Sequence, residues 1–112
     1  MRTHDQKMAE QAFQCVKDKG NNEKYCSFAL SFPSLVHSCG LAQAVSFAES
    51  KDRGDYLGDL NTVLGVVQGE AVDLPQASRT VDVIDYMRLT RRAISAASWL
   101  KRYVQAFAKE GD

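Results

Sequence analysis

Apolar residues along this chain recur at helical spacing, three and four positions apart, and no segment shows the alternation of a strand. Met8, Ala9, Ala12, Phe13 and Val16 form the first stripe. Thr3, followed three residues later by Gln6, offers a capping box at its start. Gly20, Asn21 and Asn22 end that helix and begin the next, whose stripe is Tyr25, Phe28, Ala29 and Phe32. Pro33 has no N–H and disfavours helix at the residue before it, so a break or kink is expected at Phe32, with a short helical turn over Ser34 to Cys39. Gly40 suits a left-handed cap. Leu41, Ala44, Val45 and Ala48 begin a third stripe, charged residues and Gly54 make a connection, and Leu57, Leu60, Leu64 and Val67 stripe a fourth helix that stops at Gly69. Residues 70–79, with Pro75, read as a loop.

The last element is the longest. Thr80 is its expected cap, and Asp82 and Asp85 sit in its first turns, where the helix dipole favours anions. Run unbroken to Lys109 it is about 42 Å long at ~1.5 Å per residue. A domain of this size is ~35 Å across, from a radius of gyration of ~13 Å, so the helix spans the molecule or overhangs it. The expected fold is all-α, a single domain over residues 1–112 with about five helices, two or three of them short.

Composition adds little to that fold and something to function. The 112 residues are 45% apolar and 25% charged, as in ordinary globular proteins. No apolar run approaches the ~20 residues of a membrane span, and the N-terminus lacks the apolar stretch of a secretory signal, which points to a cytoplasmic protein. Cys15, Cys26 and Cys39 are odd in number with no Cys-x-x-Cys, which suits reduced thiols used as small apolar side chains.

Charge changes the picture more. The chain is neutral, with 14 basic and 14 acidic residues, yet the sign is sorted. From Tyr86 to Lys109 it carries Arg88, Arg91, Arg92, Lys101, Arg102 and Lys109 and no acid, while residues 51–85 hold seven acids against Lys51, Arg53 and Arg79. Sorting of this kind speaks of partners before chemistry. With ~100° per residue, Val83, Tyr86, Met87, Ala93, Ile94, Ala97, Leu100, Val104 and Ala108 cluster on one side of the last helix. Arg88, Arg91, Arg92, Ser95, Trp99, Arg102 and Lys109 fall on the other. Guanidinium groups around an aromatic ring suit a nucleic-acid strand, the cations neutralising phosphates and the ring stacking on a base. The ordinary explanation competes. Cations near a helix C-terminus follow from the dipole, which covers Lys101, Arg102 and Lys109; Asp85 is placed to pair with Arg88; and Trp99 can close the core against a neighbour. The dipole does not explain the mid-helix trio Arg88, Arg91 and Arg92.

Catalytic chemistry finds no support. His37 and Cys39 lie two apart, so a helix points them in different directions, and neither has an obvious partner for a Cys–His nucleophile. There is no glycine-rich phosphate loop, no metal-ligand spacing and no distinctive carboxylate pair. Neither a cofactor nor a small-molecule substrate is expected.

Two stretches together resemble a known family. Phe32-Pro33-Ser34-Leu35-Val36-His37-Ser38-Cys39-Gly40-Leu41-Ala42-Gln43-Ala44-Val45-Ser46-Phe47 is one. Tyr86-Met87-Arg88-Leu89-Thr90-Arg91-Arg92-Ala93, followed by Ser98-Trp99-Leu100-Lys101-Arg102-Tyr103, is the other. The pair, in this order, resembles the small helical subunit of the Cmr-type (III-B) CRISPR effector, and the likeness spans nearly the whole chain. Cys39 stands where that family often carries a polar residue, frequently Asn. The resemblance implies a non-catalytic subunit stacked in several copies as a minor filament. That filament would lie beside the backbone subunits that hold the guide RNA, lead to the large polymerase-domain subunit, and line the path of the target RNA with its basic face. Pro33, Gly40, Leu41 and Gln43 would be structural, setting the helix break and close packing; Thr90 to Arg92 and Trp99 to Arg102 would contact RNA or a neighbouring subunit. With Arg88 added from the charge pattern, the expected contact set is Arg88, Arg91, Arg92, Trp99, Lys101 and Arg102. An acidic middle and a basic end on one chain suit head-to-tail stacking in which unlike patches meet. Two alternatives stay open: a protein–protein adaptor that touches no nucleic acid, and a helical DNA-binding regulator, which would need a dimer reading two half-sites.

Overall fold

Thr3 begins the structure as its spacing predicts. Its hydroxyl accepts from Gln6 N at 3.1 Å while the Gln6 side chain accepts from Thr3 N at 2.8 Å, closing the capping box of α1 (His4–Val16). The computed structural model describes residues 3–19 and 22–110, with side chains through residue 107; Gly20, Asn21 and the side chains of Ala108 and Lys109 lie outside the described residues. Asn22 caps α2 (Glu23–Cys39), its Oδ1 accepting from Tyr25 N at 3.0 Å.

α2 runs through Pro33 without the break expected at Phe32. An interior proline costs a helix about 3 kcal/mol. Against that stand Phe28, Phe32, Pro33 and Val36, all buried, and a fully buried large apolar side chain gains about 1.5–3 kcal/mol. Tertiary packing therefore outweighs local preference here.

Gly40 makes the corner between α2 and α3 (Leu41–Ser50) at φ 88° and ψ 161°, a region essentially reserved for glycine. This differs from the left-handed cap conformation expected of it. The Tyr86 hydroxyl reaches this corner and accepts from Ala42 N at 3.0 Å, tying the last helix to the α2–α3 junction. Leu41 is buried as the resemblance implied, whereas Gln43 is exposed and takes no part in close packing.

α4 (Gly54–Gln68) buries Tyr56, Leu57, Leu60, Val63 and Leu64 and ends at Gly69, whose φ of 77° is the left-handed cap. The segment expected to be a loop contains a further helix, α5 (Leu74–Thr80). Its first turn is well capped: Leu74 N donates to Asn61 Oδ1 at 2.8 Å, Pro75 has no N–H, and Gln76 N donates to Asp73 Oδ1 at 3.3 Å. The described residues thus form six helices, close to the about five expected, in an all-α fold. Thr80 closes α5 and does not open the last helix; Asp82 does that, accepting from Asp85 N at 3.1 Å.

The last helix, α6 (Val83–Glu110), has 28 residues. At ~1.5 Å per residue it is about 42 Å long, against a longest molecular dimension of 44 Å, so it spans the molecule. It packs chiefly on α1 and α2, then on α4. Its buried stripe is Leu89, Ala93, Ala96, Ala97, Leu100 and Val104. That stripe is rotated from the apolar face expected from sequence: Leu89 and Ala96 join the core, while Val83 and Met87 are 75% and 52% exposed. No helix among the described residues is long and apolar enough to cross a membrane.

The corner at Gly40 gives a direct test. Gly40→Ala forces a Cβ into a conformation that L-residues rarely adopt, and a loss of about 1–3 kcal/mol is expected in chemical denaturation. An unchanged denaturation midpoint would show that the corner tolerates a side chain.

Candidate nucleic-acid interface

With ~100° per residue, Arg88, Arg91, Arg92, Ser95, Trp99 and Arg102 fall within about 100° of one another around α6, opposite its buried stripe. Burial agrees: Arg88, Arg91, Arg92, Ser95 and Arg102 are exposed and Trp99 is half-buried. Lys101 does not share this stripe. It stands about 140° around the axis from Arg88 and is half-buried.

The guanidinium groups are not consumed internally. Among the described residues the only salt bridge joins Lys19 to Asp59, and Asp85 makes none with Arg88. Arg88 and Arg92 line one wall of a cleft of about 530 Å³ whose other walls come from the 68–73 segment, α5 and the start of α6. Glu70, Asp73 and Asp85 line the same cleft, so acids temper the field at this end of the stripe. Arg91 and Arg92 border a shallower hollow beside His4 and Asp5 of α1.

The Trp99 ring has two close neighbours. The Arg102 guanidinium lies 5.2 Å from its ring centroid, and Tyr103 stacks on it at 6.2 Å with a 23° interplanar angle. Phe13 meets Tyr103 edge-on at 5.7 Å and Phe107 at 5.7 Å, extending the aromatic row from α6 to α1. Trp99 thus belongs both to the packed side of the molecule and to the arginine stripe.

Residues 4–107 match the family model for CRISPR-associated protein (Cas_Cmr5). The chain belongs to the Cmr5 family. It is 37% identical to the CRISPR system Cmr subunit Cmr5 of Thermus thermophilus, over 98% of this chain and all of that one. It also superposes on the crystal structure of a CRISPR-associated Cmr5 family protein from Thermus thermophilus, with a TM-score of 0.82 and 35% identity, covering 96% of this chain and 98% of the other. The Cmr5 fold is therefore shared along nearly the whole chain.

This Cmr5-family chain also holds a part-buried polar cluster that its sequence concealed. Asp59 of α4 accepts from the Tyr25 hydroxyl at 2.6 Å and pairs with Lys19, whose ammonium also lies 4.6 Å from the Tyr25 ring centroid. Cys15 lies beside them; burial, and then the Asp59 charge, push its thiol up to about 11. Burial and the hydrogen bond to Asp59 push the Tyr25 phenol far up, and burial followed by Asp59 does the same at Tyr56. Cys15, Tyr25 and Tyr56 are thus held neutral around the Lys19–Asp59 salt bridge, which suits a structural tie between α1, α2 and α4 and no acid–base chemistry near neutral pH. Residues 19, 25 and 59 are too far apart in sequence for any local pattern to reveal them. His37 is exposed, and the Cys39 thiol donates to the Leu35 carbonyl at 3.1 Å, so the structure does not join them as a nucleophile pair. Among the described residues no His, Cys, Asp and Glu side chains gather where they could hold a metal ion.

This cluster sets two expected outcomes. Asp59→Asn leaves the Lys19 ammonium without its counter-charge in a part-buried site, and a loss of about 1.5–3 kcal/mol is expected by denaturation. Cys15 should resist alkylation at pH 8, where a thiol of pKa about 11 is about one part in a thousand thiolate. Its rate should climb about tenfold per pH unit toward pH 11, read by mass spectrometry of labelled peptides.

Proposed function

We propose that this chain is a small, non-catalytic subunit of a cytoplasmic CRISPR Cmr complex, stacked with copies of itself beside the RNA-holding backbone subunits. In this role the outer stripe of α6 supports the target RNA. The observation that carries the proposal is the exposed set Arg88, Arg91, Arg92 and Arg102, none in an ion pair among the described residues. Membership of the Cmr5 family supports it, as does the likeness to a Thermus chain named as a Cmr subunit. Four cations along one side of a rigid rod match a run of phosphates, and contacts to phosphate carry no base preference. Lys101, turned away from the stripe, suits a contact to a neighbouring subunit better than one to the same strand.

A second observation favours protein contact at one end of the rod. Val83, Ile84 and Met87 are 75%, 64% and 52% exposed, beside Asp82 and Asp85. Apolar side chains grouped with acids suit the basic end of a neighbouring subunit, as head-to-tail stacking requires. A pure adaptor would use this end and leave the arginine stripe idle.

Titration of single-stranded RNA at several salt concentrations separates the two. With about four phosphates neutralised, log affinity should fall against log salt with a slope near −3, at ~0.7 per phosphate. Replacing Arg88, Arg91 and Arg92 together by alanine should reduce the slope to about −1 and weaken binding to every sequence alike. Equal binding by both proteins would remove the RNA role from this face and leave the adaptor.

A further inference from the structure

Trp99 stands in the middle of the arginine stripe, where an indole would ordinarily be taken as a platform for a base. Its surroundings point elsewhere. By the ~100° step, Arg102 and Tyr103 emerge on opposite sides of Trp99, one turn further along α6. The Arg102 guanidinium lies 5.2 Å from the ring centroid and Tyr103 stacks at 6.2 Å. Tyr103 is in turn braced by Phe13, and Phe13 by Phe107. Trp99 is half-buried and packs against the core. A base would have to displace either a cation or a braced aromatic ring to reach an indole face.

We infer that Trp99 is a positioning residue that holds the Arg102 guanidinium as a phosphate contact, so that this surface grips the sugar–phosphate backbone and leaves the bases unread. The inference rests on the RNA role proposed above and specifies which part of the strand is held. A guanidinium laid over an aromatic ring keeps its in-plane N–H groups free, and those are the groups that bind phosphate in a two-pronged fashion. Arg102 is itself exposed and has no ion-pair partner among the described residues.

Trp99 is the only tryptophan of the chain, so its fluorescence reports on this contact alone. The full chain is titrated at low salt with three oligomers of equal length: polyadenylate, polyuridylate and an abasic ribose–phosphate strand. All three should bind within about twofold of one another, because phosphate is the common ligand, and should change the Trp99 emission alike. Trp99→Ala should weaken all three by about two- to fivefold, the range a solvent-exposed cation–π contact provides. Trp99→Phe should restore most of that loss. In an Arg102→Ala background Trp99→Ala should cost nothing further. The wild-type comparison of the three oligomers needs no variant, so it stands even if Trp99→Ala folds poorly. Quenching by the base-bearing strands only, with polyadenylate favoured over the abasic strand by the roughly 5- to 150-fold that one stacked base supplies, would overturn the inference and leave the RNA role intact. No binding by any of the three would overturn the RNA role and this inference together.

Discussion

The small side chains on the inner face of α6 are the constraint on which the rest of the molecule is built. Ala93, Ala96 and Ala97 are fully buried, with Leu89, Leu100 and Val104 at the two ends of the same stripe. Alanine lets the backbones of α1, α2 and α4 approach the rod closely, and it adds no rotamer cost on burial. One helix can therefore be packed by three others along most of its length. The same geometry fixes the outer face. Once the inner third of α6 is committed to alanine and leucine contacts, the positions opposite are held at the surface in a rigid row. Their side chains can be spaced only by the rise and turn of the helix.

The ends of α6 are held in different ways, and the difference matches their exposed surfaces. Near the start, Asp82 caps the first turn and the Tyr86 hydroxyl fastens the helix to the Gly40 corner, yet Val83, Ile84 and Met87 remain uncovered. Toward the end, Trp99, Tyr103, Phe107 and Phe13 form an aromatic row that joins α6 to α1. Apolar groups with acids lie at one end and aromatic groups with cations at the other. In the stacking proposed above, each surface would meet its complement on a second copy without making the contact two-fold symmetric.

Much of this is legible in the sequence because it is local. The Thr3 capping box, the Asn22 cap, the Gly69 stop and most of the stripes of α1 to α4 are decided within four or five residues and are present in the structure; Phe13, expected in the α1 stripe, is exposed instead. Three features depend on distant contacts and are not legible in that way. Pro33 stays inside α2 because the faces of Phe32 and Val36 are buried by other helices, which no local rule anticipates. Helical spacing puts Val83 and Met87 on the apolar side of α6, but at that end no neighbouring helix covers them, so they face solvent. The Lys19–Tyr25–Asp59 cluster joins the α1–α2 connection to α2 and α4 and has no spacing to find. α5 is a different case. Asp73, Leu74, Pro75 and Gln76 are a cap and a first turn in plain view, and Pro75, which reads as a breaker within a polar stretch, is by its position a starter. At the candidate site the stripe is legible from the ~100° step alone. The dual placement of Trp99, half in the packing and half among the arginines, depends on the meeting of Tyr103 with Phe13.

The arginine stripe also breaks a local rule, and no ion pair among the described residues offsets it. Arg88 and Arg92 are four residues apart and Arg88 and Arg91 three apart, so the like charges face each other on the helix surface. Such pairs cost about 0.2–0.5 kcal/mol each. Asp85, three residues before Arg88, is placed to relieve them and makes no salt bridge. A sequence tuned for stability alone would alternate sign along this face, and the chain has the acids to do so, but places seven of its fourteen in residues 51–85 and none from Tyr86 to Lys109. The repulsion is tolerated because the inner face of α6 is buried along its length, and it vanishes when an anion settles on the stripe. Concentrated like charge that the free molecule tolerates and a polyanion relieves is a stored contribution to binding, and it is the physical ground for assigning this face a partner.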